Sequence, residues 1–330
     1  MQDALRAVSK QWSCDFAPGG NAEWTADTLT HLKLASIDVT PVAPSLAHLP
    51  ALSDLVVTLN SKRATAAPAL ARALPAVTSL RTFACAGLTG DLAAGLVPSL
   101  AELPSLAAVA LGCKVFDPEH ARAISRGLGG LRTLTHLHLT LQLAHESTFA
   151  PFAAAPAPLS RLRSLSFRVN GMGGGGDTLA ATLSALPALS ILDLHGVRAF
   201  ADGSTAVAEA VGGLSSLVEL AMRFCNCGPA GAPALAAALG RLTALHRISL
   251  ECSAINDAAL GTLAPALAPL TALTMLNLDG NKISSGGART LAAAVPALSQ
   301  LTVSAAETGL SWNVRKALVR LLAESSQLPL

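Results

Sequence analysis

Residues 270–283 read LTALTMLNLDGNKI. Counting from Leu273, apolar residues stand at positions 1, 4 and 6 (Leu273, Leu276 and Leu278), Asn281 at position 9 and Ile283 at position 11. The pattern is L-x-x-L-x-L-x-x-N-x-I. Alternation through its middle is what a strand buried on one face requires, because successive side chains point to opposite sides of the backbone. An asparagine just past such a strand suits a tight bend, where its amide pairs with backbone groups that the turn leaves without partners. A helix-like segment follows.

The same phase recurs along the chain. Leucines open it at 106, 134, 162, 189, 217, 245 and 273, with separations of 28, 28, 27, 28, 28 and 28 residues. Degenerate copies open at Leu29, Leu52 and Val77, and a final one at Leu298, so about 11 units cover residues 29–310. A period this regular marks a stacked array whose neighbours bury one continuous core.

The pattern and its length resemble the leucine-rich repeat family, specifically its ribonuclease-inhibitor-like class. That resemblance implies an α/β horseshoe solenoid with parallel strands on the concave face and α-helices on the convex face. Residues 1–28, with Trp12, Phe16 and Trp24, are expected to cap the first edge, and residues 311–330 to form a C-terminal capping helix.

Helix starts are written between the strands. Asp117-Pro118-Glu119 combines an N-cap, a proline at the first helical position and an acid in the first turn. Asp177, Asp202 or Ser204, and Asp257 are expected to repeat the device. The first three units, 23, 25 and 29 residues long in this phase, are expected to carry short or irregular helices. So is the segment 150–159, where Pro151, Pro156 and Pro158 oppose a helix.

Composition narrows the function. Hydrophobic residues make up 51% of the chain, yet prolines and polar residues interrupt every apolar stretch short of the roughly 20 residues a membrane span needs. A net charge of +2, 3% aromatics and no tyrosine supply neither the basic field nor the stacking surfaces of a nucleic-acid binder. The opening MQDALRAVSKQW lacks a secretory core, and the six cysteines are scattered without the paired clusters that cap many secreted repeats. A cytoplasmic location is the expectation, with the ciliary axoneme or the mitochondrion as alternatives.

Several motifs invite chemistry. Residues 171–176, GMGGGG, satisfy G-x-G-x-x-G, with Asp193 about 20 residues on. In a strand-loop-helix array every glycine-rich loop falls in that context, and a solenoid has no reversal of strand order to hold a dinucleotide, so no cofactor is expected. Cys225 and Cys227 fall at inward positions 9 and 11 and read as buried thiols. His136 and His138 share a face without a third ligand, and no nucleophile with its base can be assembled. The chain reads as a non-enzyme. Members of the class it resembles include an activator of the small GTPase Ran, which uses a catalytic arginine and an acidic tail; this sequence shows no acidic run.

Positions 3, 5 and 7 project away from the core onto the concave face. The candidate partner-binding residues there are His136, His138, Arg168, Asp193, His195, Glu219, Arg223, Arg247, Glu251, Asn277 and Asp279. Position 7 runs from basic to acidic through Arg168, His195, Arg223, Glu251 and Asp279, flanked by Ile191, Phe224 and Met275. The expected function is an adaptor or structural subunit that binds protein partners, such as those of a large multi-subunit complex. Alternatives are a small-GTPase regulator acting through a concave arginine, and a subunit of a ciliary or ribonucleoprotein complex.

Overall fold

A computed structural model describes residues 28–35, 39–59, 65–145, 148–170, 175–197, 205–295, 298 and 301–305. The expected caps, residues 171–174 of the glycine-rich motif 171–176 and the N-cap candidates Asp202 and Ser204 lie outside them, apart from Thr28 at the end of the N-terminal cap. The strands are β1 His31–Ala35, β2 Asp54–Thr58, β3 Thr82–Thr89, β4 Ala108–Val115, β5 His136–Leu143 and β6 Ser164–Asn170. They continue with β7 Ile191–His195, β8 Glu219–Arg223, β9 Arg247–Ser249, β10 Met275–Asn277 and β11 Thr302–Ser304. The helices are α1 Ala66–Ala73, α2 Gly90–Leu100, α3 Pro118–Gly129, α4 Phe149–Ala154 and α5 Gly176–Ser184. After them come α6 Thr205–Gly212, α7 Ala232–Leu239, α8 Asp257–Leu267 and α9 Ser285–Ala294. A 3₁₀ turn at Ala43–His48 stands where the first crossover would carry a helix.

Among the described residues, all eleven strands are parallel and neighbour one another in chain order. Parallel neighbours need a crossover, which helices supply by stacking against one another on the opposite side. In β5 the alternation is direct: Leu137, Leu139 and Leu141 are buried while His138 and Thr140 face out. One apolar core runs without interruption from Leu29 to Ala305. The fold is a leucine-rich-repeat α/β solenoid.

In the units of β8, β9 and β10 the position-9 side chain ties each unit to the one before. The Asn281 side chain is 2% exposed; its Oδ1 accepts from the Ser253 and Ile255 backbone N–H groups, both at 3.0 Å. Its Nδ2 donates to the Leu250 and Leu278 carbonyls at 2.7 and 2.9 Å. One unit earlier Ser253 fills the same place and donates to the Met222 carbonyl at 2.6 Å, and before it Cys225 donates to the Leu194 carbonyl at 3.3 Å.

Strand register corrects the phase at both ends. Thr82 pairs with Asp54 and with Ala108, which makes Leu80 and not Val77 the opening residue of the third unit. Thr302 pairs with Met275, a position-3 residue, so position 1 of the last unit falls two residues before Thr302 and not at Leu298. Val77 and Leu298 are buried in the turns before these strands, which is why they imitate the opening position. The third unit also carries a full 11-residue helix, against the expectation of a short one. α4, at six residues, is short as its prolines require.

Two N-caps move as well. Asp117 accepts from the Glu119 N–H at 2.8 Å as expected. At α5 the cap is Gly175, in left-handed backbone, and Asp177 sits inside the first turn. At α8 the cap is Asn256, bonded to the Ala259 N–H at 2.9 Å. Asp257 reaches instead to the next unit, where its carboxylate accepts from the backbone N–H and hydroxyl of Ser284, the cap of α9. These bonds hold the Asp257 carboxyl below its ordinary pKa.

Candidate functional site

The outward side chains of β3 to β10 line a concave groove of about 530 Å³. Parallel register sets them in rows. Position 5 runs His138, Ser166, Asp193, Ala221, Ser249 and Asn277; position 7 runs Thr140, Arg168, His195 and Arg223. Beyond β8 the position-7 row leaves the strands, because β9 and β10 have only three residues each, and Glu251 and Asp279 stand in the following turns.

Side chains on four strands form one hydrogen-bonded chain. Arg223 Nη2 donates to Asp193 Oδ2 at 2.7 Å, and Ser166 Oγ donates to the same oxygen at 3.2 Å. Ser166 has a single proton, so its lone pair accepts from His138 Nδ1–H at 2.8 Å. That fixes the neutral tautomer of His138, whose Nε2 accepts from Thr140 at 3.1 Å. Burial, and next the charge of Arg168, lower the pKa of His138 against the pull of Asp193. His195 is lowered likewise, by burial, Arg168 and Arg223. The Asp193 bond raises the pKa of Arg223 further above its already high value.

The order of this chain decides its chemistry. The serine lies between histidine and aspartate, giving its proton to the carboxylate and accepting one from the imidazole. A serine nucleophile needs the reverse, an imidazole nitrogen free to take the hydroxyl proton. The network holds shape. Asp193 Oδ1, His195 Nδ1 and Arg223 Nε are shielded from solvent and make no hydrogen bond.

Arg223 corrects the expected charge gradient. It turns out of the position-7 row onto Asp193 and is largely neutralised there, which leaves Arg168 as the exposed cation of that row. Glu219 and Arg247 oppose each other at 3.9 Å. Asp279 accepts from Ser304 at 2.8 and 3.0 Å, and Asn277 folds back onto the Asp279 N–H at 2.8 Å. Glu251 is half-buried, and its carbonyl accepts from the Phe224 N–H. His136 stands apart at the start of β5, bonded to Thr135. No three His, Cys, Asp or Glu side chains among the described residues are placed to hold a metal ion.

Sequence reasoning left Ser166 and Thr140 out of the site, and treated Phe224 only as a flank. Phe224 is 47% exposed and has φ of 55°, left-handed backbone that bulky residues rarely adopt. Its ring packs on His195 with centroids 4.9 Å apart. The available signal was positional: the same place is glycine at Gly196 and Gly280 and the small Cys252 in the unit between, all with positive φ, so a large aromatic ring there is out of pattern. Cys225 and Cys227 are fully buried; burial pushes the Cys225 thiol up to about 12 and that of Cys227 well above its ordinary value.

No known family profile matches the chain, and no curated protein is detectably similar in sequence. Among solved structures, an internalin (InlF) from Listeria monocytogenes is similar at 17% identity and a TM-score of 0.47, over 92% of this chain and 86% of that one. A protein from Bacteroides fragilis gives 17% identity and 0.47 over 72% and 68%. The yeast Rad7 and Elc1 complex gives 13% and 0.39 over 84% and 85%. None of them assigns a partner or an activity to this chain. No helix among the described residues is long and apolar enough to cross a membrane.

Proposed function

We propose that this chain is a non-enzymatic protein-binding module of the ribonuclease-inhibitor-like type, an adaptor or structural subunit whose partner docks on the concave side of β6 to β9. The observation that carries the reading is Phe224. Left-handed backbone at a bulky residue costs about 1–3 kcal/mol, and here it holds an aromatic ring out toward solvent where glycine would bend without strain. Beside it lie the imidazole of His195 and, one strand further, the exposed Arg168. An aromatic anchor next to an arginine, backed by a prebonded polar floor, is the composition of an interface hot spot.

The test compares wild type with Phe224→Ala and Arg168→Glu as immobilised baits in extract of the native source, read by mass spectrometry. A partner retained by wild type and lost by both variants, at unchanged melting temperature, supports the reading. Equal capture by all three moves the partner elsewhere. The arginine also allows a GTPase-activating reading, and stimulation of any member of a small-GTPase panel that Arg168→Ala abolishes would replace the first.

A further inference from the structure

The convex side carries a second surface, independent of the concave reading. α4 has six residues where its neighbours α3 and α5 have 12 and nine. Pro151 stands in its first turn, and Pro156 and Pro158 bar its continuation. An open groove of about 820 Å³ lies along the gap. Arg122, Ser125 and Arg126 form one wall on α3, at spacings that share a helix face, with Arg132 just beyond. Pro151 and Pro158 line the other side.

Ser125 is 8% exposed, and its Oγ has no hydrogen-bond partner. A helical serine ordinarily returns its proton to the carbonyl one turn back, as Ser184 does to Ala180 at 3.0 Å. Ser125 does not, and a buried hydroxyl left so is costly unless something docks on it. The charges around it are one-sided. Arg122 pairs with the exposed Glu119, Arg132 spends one of its N–H groups on the Pro158 carbonyl at 2.9 Å, and Arg126 is exposed in the last turn of α3. Compensation of the α3 carbonyl end accounts for one cation. Three arginines against one carboxylate leave an excess.

We propose that this groove docks an acidic amphipathic helix of a partner protein, which takes the place of the turns that α4 lacks. Its apolar stripe lies on Pro151 and Pro158; its carboxylates meet Arg126 and Arg132, and one accepts from Ser125 Oγ. A compact phosphate fits less well, because the groove is far larger than one anion and the carbonyl end of α3 opposes concentrated negative charge. Carboxylates dispersed along a helix reach the spread guanidinium groups without that penalty.

The probe is a fluorescent peptide of about four helical turns, with glutamate at every fourth position beside an Ala/Leu stripe. Anisotropy should show saturable, salt-sensitive binding to the whole chain, weakened about tenfold by Arg126→Glu. A peptide with glutamine in place of glutamate should not bind, and millimolar inorganic phosphate should not compete. Ser125→Ala should weaken binding about threefold while leaving the melting temperature unchanged or higher; a shift in melting temperature at constant affinity would make the hydroxyl merely structural and overturn its role. Absence of saturable binding, equal binding by Arg126→Glu, equal binding of the glutamine peptide, or displacement by phosphate each overturns the proposal. Arg168→Glu should bind the peptide normally, which separates this surface from the concave one.

Discussion

Asn281 shows how much one side chain does in a stacked array. Alanine there strands two buried N–H donors and the Leu250 carbonyl, each costing about 1–3 kcal/mol when left unpaired. Asn281→Ala should therefore lower stability by about 3 kcal/mol, read as a lower urea midpoint at unchanged slope. This residue was legible in the sequence because its duty is local to the bend. Ser166 was not, because its place in the His138–Asp193 chain depends on side chains that meet across three strands. His138 adds a pH signature. Its folded pKa lies below the ordinary value of about 6.5, so between the two values the unfolded chain binds the extra proton and stability rises with pH. Stability is full above about pH 6.5 and declines as pH falls through that value toward the lower folded one. Urea midpoints taken from about pH 8 to about pH 5 should show this decline in wild type and a shallower one in His138→Gln.

At the scale of strand and turn, position 8 is where several units turn out of extended backbone. Gly87, Gly196 and Gly280 take positive φ there, and β7 ends at once, while β4, β5 and β6 run on because Cys113, Leu141 and Val169 stay extended and buried. A Cβ on Gly196 would stand 2.1 Å from the Val169 carbonyl oxygen, a backbone atom that cannot swing aside. Gly196→Ala should cost about 3 kcal/mol or more, from clash and strained φ together. Phe224→Gly is the converse case: relief of strain offsets the added freedom of the unfolded chain, so the melting temperature should hold nearly constant while partner capture fails. The repeat period made strands and helices predictable, but their edges slipped at Val77, Leu298, Asp177 and Asp257. A turn leucine is as buried as an opening one, and two adjacent polar residues compete for one cap. Only strand register and hydrogen bonds distinguish them.

For the whole molecule, stability is local, because each unit packs chiefly on its neighbours even though the core is continuous. That much was legible from a constant spacing; no spacing specifies a partner. Four buried thiols report on the two regions separately: Cys85 and Cys113 in β3 and β4, Cys225 and Cys227 just after β8. Burial pushes Cys85, Cys113 and Cys225 up to about 12 and raises Cys227, so each reacts with iodoacetamide only when its unit opens. Leu55→Ala removes a fully buried side chain of β2 beside Phe83 of β3, a loss of about 2–5 kcal/mol. If coupling decays from unit to unit, alkylation followed by peptide mass spectrometry should find Cys85 and Cys113 labelled at least about tenfold faster than in wild type, with Cys225 and Cys227 unchanged. Equal acceleration at all four thiols would mean that the array opens as one cooperative unit, and the nearest-neighbour account of its stability would fail.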